Sequence, residues 1–104
     1  MLGRAAYSLD VLQTGRERRL AAFDGPPELA RFFRGERLET VPASHADRVA
    51  VLGHIALRFE PGRAYDESEV NRILQAVHSD HAMLRRYLVD ERLLRRAAGR
   101  YTRA

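Results

Sequence analysis

Val70, Ile73, Leu74 and Val77 stand at i, i+3, i+4 and i+7, the spacing of one apolar face of an α-helix. Asp66 precedes the run, and Glu69 three residues on completes a capping signal. The spacing predicts a helix from about Glu67 to Val77. Ser79-Asp80 then breaks the pattern, and either residue can cap a further helix, from about His81 to Glu91, with Leu84 and Leu88 inward. Helices this short are not stable alone in water. With only a few residues between them, they must pack against each other at a steep angle. This helix-turn-helix pair is the constraint around which the rest of the chain has to be arranged.

A third helix precedes the pair. Ser44 followed by Asp47 resembles a capping box with an acid one carbon short. Val49, Leu52, Ala56 and Phe59 share one face, Val51 and Ile55 widen it, and Glu60-Pro61-Gly62 ends it. Arg63-Ala64-Tyr65 is short and extended. After the pair, Leu93 to Arg96 reads as a strand, Ala98-Gly99-Arg100 as a tight turn and Tyr101 to Arg103 as the return strand.

The N-terminal part is less regular. Leu9, Leu12 and Leu20 suggest a helix that Gly15 and the charged run from Arg16 to Arg19 weaken. Asp24-Gly25-Pro26-Pro27 is a firm break. Glu28 to Phe33 follows as a short helix with Leu29, Phe32 and Phe33 apolar, and Gly35 reads as its stop. Arg37 to Val41 alternates up to Pro42, as a short strand or extended arm. The expected fold is mainly α with a small β-hairpin, an α+β chain. It is a winged helix-turn-helix over residues 31–104, preceded by an N-terminal helical extension over residues 1–30 that offers a dimer surface.

Composition narrows the function. At 104 residues there is room for one core. No cysteine is present, which excludes disulfides and thiolate metal sites. No apolar run approaches the ~18 residues of a membrane span, and the first residues lack a signal-peptide stretch, so a cytoplasmic protein is expected. All 18 basic residues are arginine, as a GC-rich codon bias would produce, so the total is no binding signal. The distribution is. From Asp80 onward Arg85, Arg86, Arg92, Arg95, Arg96, Arg100 and Arg103 face only Asp80, Asp90 and Glu91. The first 79 residues balance, so the formal net charge of +4 sits in the last quarter.

If the last helix of the pair enters a DNA major groove, His81, Ala82, Arg85 and Arg86 are its expected exposed positions. Arg85 and Arg86 point ~100° apart and cannot both read bases. Arg85 is expected to face the groove, and Arg86 a phosphate or an internal acid. Against this, an arginine held by Asp90 or Glu69 would only lock the helices together. Arg95, Arg96, Arg100 and Arg103 flank the hairpin and suit phosphates, although neighbours on a strand face opposite ways, so only one of Arg95 and Arg96 joins a given patch. Tyr65, Tyr87 and Tyr101 read as packing rather than base-stacking residues, and Phe32, Phe33 and Phe59 as core.

Other chemistry has weak support. His78 and His81 are three apart, but the expected helix break between them splays the rings, and His54 is remote, so no metal is expected. Ser79, Asp80 and His81 are consecutive caps rather than a triad. Neither enzyme activity nor a cofactor is indicated.

The wording of the chain from about Phe32 onward carries a further signal. Phe33-Arg34-Gly35-Glu36-Arg37-Leu38-Glu39-Thr40-Val41-Pro42, Arg58-Phe59-Glu60-Pro61-Gly62-Arg63-Ala64-Tyr65, Glu69-Val70-Asn71-Arg72-Ile73-Leu74 and Leu84-Arg85-Arg86-Tyr87-Leu88-Val89-Asp90 follow in order. Together they resemble the prokaryotic domain-of-unknown-function family numbered 2087. Its members occur alone or joined to helix-turn-helix regulator domains, so the resemblance implies a transcription-related role. His81 departs from the acidic or aromatic residue many members carry there, and the first 30 residues lie outside the resemblance.

Two functions stay open from the sequence. One is a regulator binding double-stranded DNA as a homodimer. The other is a protein-interaction or dimerisation module, with Gly35 to Pro42 as an arm over a neighbour's sheet edge. A small-molecule effector would need an apolar pocket between the N-terminal segment and the core, and the sequence shows none.

Overall fold

The computed structural model describes residues 23–104. The expected helix at Leu9, Leu12 and Leu20 lies outside the described residues. A 3-10 helix, Pro27–Phe32, opens the described chain, with proline preset for its first turn. It is followed by β1 (Phe33–Arg34) and β2 (Arg37–Leu38), α1 (His45–Ala56), β3 (Ala64–Asp66), α2 (Glu67–Gln75), α3 (His81–Asp90), β4 (Leu94–Ala97) and β5 (Arg100–Arg103). The chain is therefore a mixed α+β protein with two small antiparallel sheets.

The capping signals act as read. Ser44 Oγ accepts from the Asp47 N–H at 3.3 Å. At α2 the Asp66 carboxylate accepts from the Glu69 N–H at 2.8 Å, and Glu69 Oε1 accepts from the Asp66 N–H at 2.9 Å, the reciprocal capping box. The Glu69 amide and the Ser68 hydroxyl hold the Asp66 carboxyl below its ordinary pKa. Asp80, rather than Ser79, caps α3, accepting from the Met83 N–H at 3.1 Å.

Helix ends differ from expectation for local reasons. α1 stops at Ala56, but i→i−3 bonds from Leu57, Arg58 and Phe59 carry the coil on to Phe59 in tighter turns. α2 stops at Gln75 because the Arg37 guanidinium takes the Gln75 carbonyl at 3.1 Å and the Leu38 N–H takes that of Val77 at 2.8 Å. α3 closes with Leu93 N–H on the Leu88 carbonyl and Arg92 N–H on that of Val89. This two-bond stop places Arg92 at φ 63°, where glycine is usual.

The segment after the 3-10 helix corrects the sequence reading. Gly35, at φ 61°, does not stop a helix. It turns a tight hairpin that pairs Phe33 with Leu38. No extended arm results: Leu38 and Pro42 are buried. Leu29, within the segment expected to offer a dimer surface, is buried in the core, as is Phe32, expected to be core. The core therefore begins before residue 31.

The larger sheet runs β3-β5-β4, so the strand before α2 pairs with the second strand of the hairpin. Tyr65 opposes Tyr101, and Tyr101 opposes Arg96. Ala98 (φ 53°) and Gly99 (φ 76°) are both left-handed, as a two-residue hairpin turn requires. Val51, Leu52, Ile55, Phe59, Val70, Leu74, Val77, Leu84, Leu88 and Leu94 are the closed centre between helices and sheet. Each such side chain contributes ~1.5–3 kcal/mol on burial. Tyr65 and Tyr101 join this core; Tyr87 packs at its margin beneath the Arg48 guanidinium.

Candidate functional site

α3 buries Leu84 and Leu88 and turns Ala82, Arg86 and Asp90 outward, four residues apart on one stripe. The two adjacent arginines separate as the ~100° per residue of a helix demands. Arg85 lies against α2. One of its terminal nitrogens donates to Asn71 Oδ1, and the other stands 3.9 Å from Glu67 Oε2. Glu67 Oε1 also accepts from the Tyr101 hydroxyl at 3.2 Å. Thus Arg85 ties α3 to α2, and Glu67 ties both to β5. The locking role lies with Glu67 and Asn71, not with Asp90 or Glu69; Glu69 instead pairs with Arg63 at 3.2 Å.

Arg86 is exposed and makes no hydrogen bond or ion pair with any described residue. Arg85, expected to reach outward, is fastened inward, and its neighbour is unengaged. His81 is half-buried rather than exposed, with its Nδ1 enclosed and unpartnered among the described residues.

Strand alternation divides the hairpin arginines. Arg96 shares a face with buried Leu94 and lies over the Tyr101 ring at 5.7 Å. With Arg85, Arg86, Glu67 and Asp90 it lines a groove of about 410 Å³ between α3 and the sheet. Arg95 and Arg100 alternate to the other face, where Arg100 sits opposite Asp66. Arg103, opposite Leu94 on the Arg96 face, is half-buried; it donates to the Phe59 carbonyl at 3.0 Å and fastens β5 to the end of α1. Arg92, counted in the basic excess but given no site role from the sequence, is exposed beside the hairpin and unpaired among the described residues. Nothing in the spacing pointed to it, because its exposure follows from the left-handed helix stop.

A second cluster was also hidden in the sequence. Phe23 stacks on Phe33 with ring centroids 4.6 Å apart, and His54 stands edge-on to Phe33 at 5.7 Å. Burial, reinforced by the Arg58 charge and opposed by Asp24, lowers the His54 pKa from its ordinary value. Gly25 passes so close that an added Cβ would fall 2.5 Å from both Phe23 and His54. A cavity of about 240 Å³ opens here, rimmed by Asp24, Leu57 and the Arg58–Glu36 ion pair. It lies between the N-terminal segment and α1, the place an effector pocket would need, but it is smaller than the ~300–1,000 Å³ usual for ligand sites.

No three metal-ligating side chains come together among the described residues. His78 Nδ1 accepts from the Asp80 N–H at 2.8 Å, so the histidine closes the turn between α2 and α3. No described helix is long and apolar enough to cross a membrane.

Comparison with known proteins returned no match among curated proteins or solved structures. A family model described as an uncharacterized protein conserved in bacteria (DUF2087) matches residues 37–103. That span runs from β2 to the last residue of β5 and takes in α2, α3 and the arginine-bearing hairpin, and the chain belongs to this bacterial family.

Proposed function

We propose that this protein is a winged-helix module that binds duplex DNA and acts in transcriptional regulation. One observation carries the reading. Arg86, Arg92, Arg95, Arg96 and Arg100 lie on α3 or on the hairpin and its approach, exposed and without a hydrogen-bond or ion-pair partner among the described residues. The order helix, strand, helix, helix, hairpin, with the first strand against the last, supports the winged-helix assignment. In this reading α3 enters the major groove. Arg86 faces base edges, where a bidentate contact to guanine discriminates by ~1–3 kcal/mol. Arg95, Arg96 and Arg100 approach phosphates on either side, fixing register without reading sequence. Arg85 keeps α3 at a set angle to α2 and does not itself read.

A single module of this kind buries roughly 600–1,000 Å² of protein surface on DNA, so useful specificity calls for a homodimer on two half-sites. The test is retention of fragmented genomic DNA by the purified protein at physiological salt, followed by sequencing. An enriched site with two-fold symmetry supports the reading, and its loss in Arg86→Ala assigns the contact. No retention, or retention without enrichment, removes the regulator and leaves an interaction module in its place.

A further inference from the structure

The geometry points to the open edge of β4 as a docking site for an extended acidic peptide segment with an apolar residue at its centre. Among the described residues β4 pairs with β5 alone, so its other edge carries no described strand. The two-residue turn makes Ala97 and Arg100 a hydrogen-bonded pair. By alternation Arg95 and Ala97 bond toward β5, and the N–H and C=O groups of Leu94 and Arg96 face the open edge.

Beside that edge is a groove of about 300 Å³, with Val89 and Leu94 at its floor and Arg92, Arg95 and Arg96 around it. No carboxylate side chain lines it, in contrast to the neighbouring groove with Glu67 and Asp90. Arg92, Arg95 and Arg96 are all exposed and lack acidic partners among the described residues.

These features select the occupant. Three guanidinium groups repel a second copy of the same edge, as charged edge strands do. They attract carboxylates. Main-chain bonds at Leu94 and Arg96 recognise a strand, and the floor takes one apolar side chain. A phosphate backbone offers neither strand hydrogen bonding nor an apolar anchor, so DNA contacts at Arg95 and Arg96 would leave the strand edge and the groove floor unused. The inference does not rest on DNA binding.

Amide spectra of the whole chain, titrated with a synthetic peptide of about seven alternating glutamate and leucine residues, test it. The Leu94 and Arg96 amides should shift and gain protection from solvent exchange. Replacing each glutamate of the peptide by glutamine should weaken binding at least about tenfold, as should Arg92→Glu. Arg72→Glu, the same charge change at an exposed position of α2, should stay within about twofold. If Arg92→Glu does not fold, Arg95→Glu replaces it. No shift at millimolar peptide, equal binding of the glutamine peptide, or shifts only at these amides with a DNA duplex would each overturn the proposal.

Discussion

From Arg31 to Arg63 each arginine is engaged within the fold. Arg31 pairs with Asp47, Arg34 with Glu39, Arg58 with Glu36 and Arg63 with Glu69, at 3.0–3.2 Å. Arg37 and Arg48 cap backbone carbonyls. After Asp80, among the described residues, only Arg85 and Arg103 are held in this way. The residue type is the same, and the difference lies in the supply of acceptors. The first stretch interleaves acids with arginines, and the helix ends and turns expose carbonyls beside them. The last quarter has few acids, and most of its strand carbonyls are taken up by the sheet. A guanidinium with an acceptor nearby becomes part of the architecture; one without stays exposed to solvent.

The largest effect should appear in the salt dependence of duplex binding. If Arg95, Arg96 and Arg100 each meet a phosphate, affinity should fall about 40-fold per protomer between 50 and 200 mM salt. A flat response would break the contrast, since the arginines would then be unengaged but idle.

Adjacent substitutions on α3 sharpen it. Arg85→Ala strands Asn71 and Glu67 and should cost about 1–3 kcal/mol of stability in denaturant titration. Arg86→Ala should cost under ~0.5 kcal/mol of stability while reducing DNA affinity about tenfold. Equal loss of stability in both would mean that Arg86 is also part of the architecture.

The hairpin gives a smaller version of the same pair. Arg103→Ala should lose ~1 kcal/mol with the bond to the Phe59 carbonyl, against almost nothing for Arg95→Ala. Arg92→Gly should move the midpoint the other way. It removes an unpaired side chain from a left-handed position and should stabilise by ~1 kcal/mol. A destabilised Arg92→Gly protein would show that the arginine has a structural partner after all.

The smallest effect belongs to His54, in the upstream aromatic cluster. Its folded pKa lies below the unfolded value, so the fold prefers neutral imidazole. That contribution is present above the unfolded pKa, near 6.5, and is lost as pH falls through the lower folded one. Melting temperature should drop modestly from pH 7.5 to 5, and His54→Gln should reduce that part of the drop. An unchanged slope in the variant would show that His54 does not carry the dependence, since Asp66, whose folded pKa is lowered, titrates below this window.

Much of the fold was legible in the chain. Apolar spacing and caps located all three α-helices, because both signals are local and helical geometry is periodic. The hairpin was legible because Ala98-Gly99 sits between two short strand-like runs. The Phe33–Leu38 hairpin was not. Gly35 is equally a helix stop and a turn, and only docking of Leu38 on the end of α2 decides between them. The aromatic cluster at Phe23, Phe33 and His54 was invisible because three separate segments supply it.

For the arginines, the sequence by itself determined where the excess lies and that Arg85 and Arg86 must diverge, since composition and helical pitch are properties of the chain. Which of the two is bound and which is unengaged was decided by the tertiary structure. That outcome depends on the angle at which α2 brings Glu67 and Asn71 against one side of α3, and on Tyr101 in β5 holding Glu67 there. Acceptors that meet a guanidinium across elements are set by packing, and no local pattern records them.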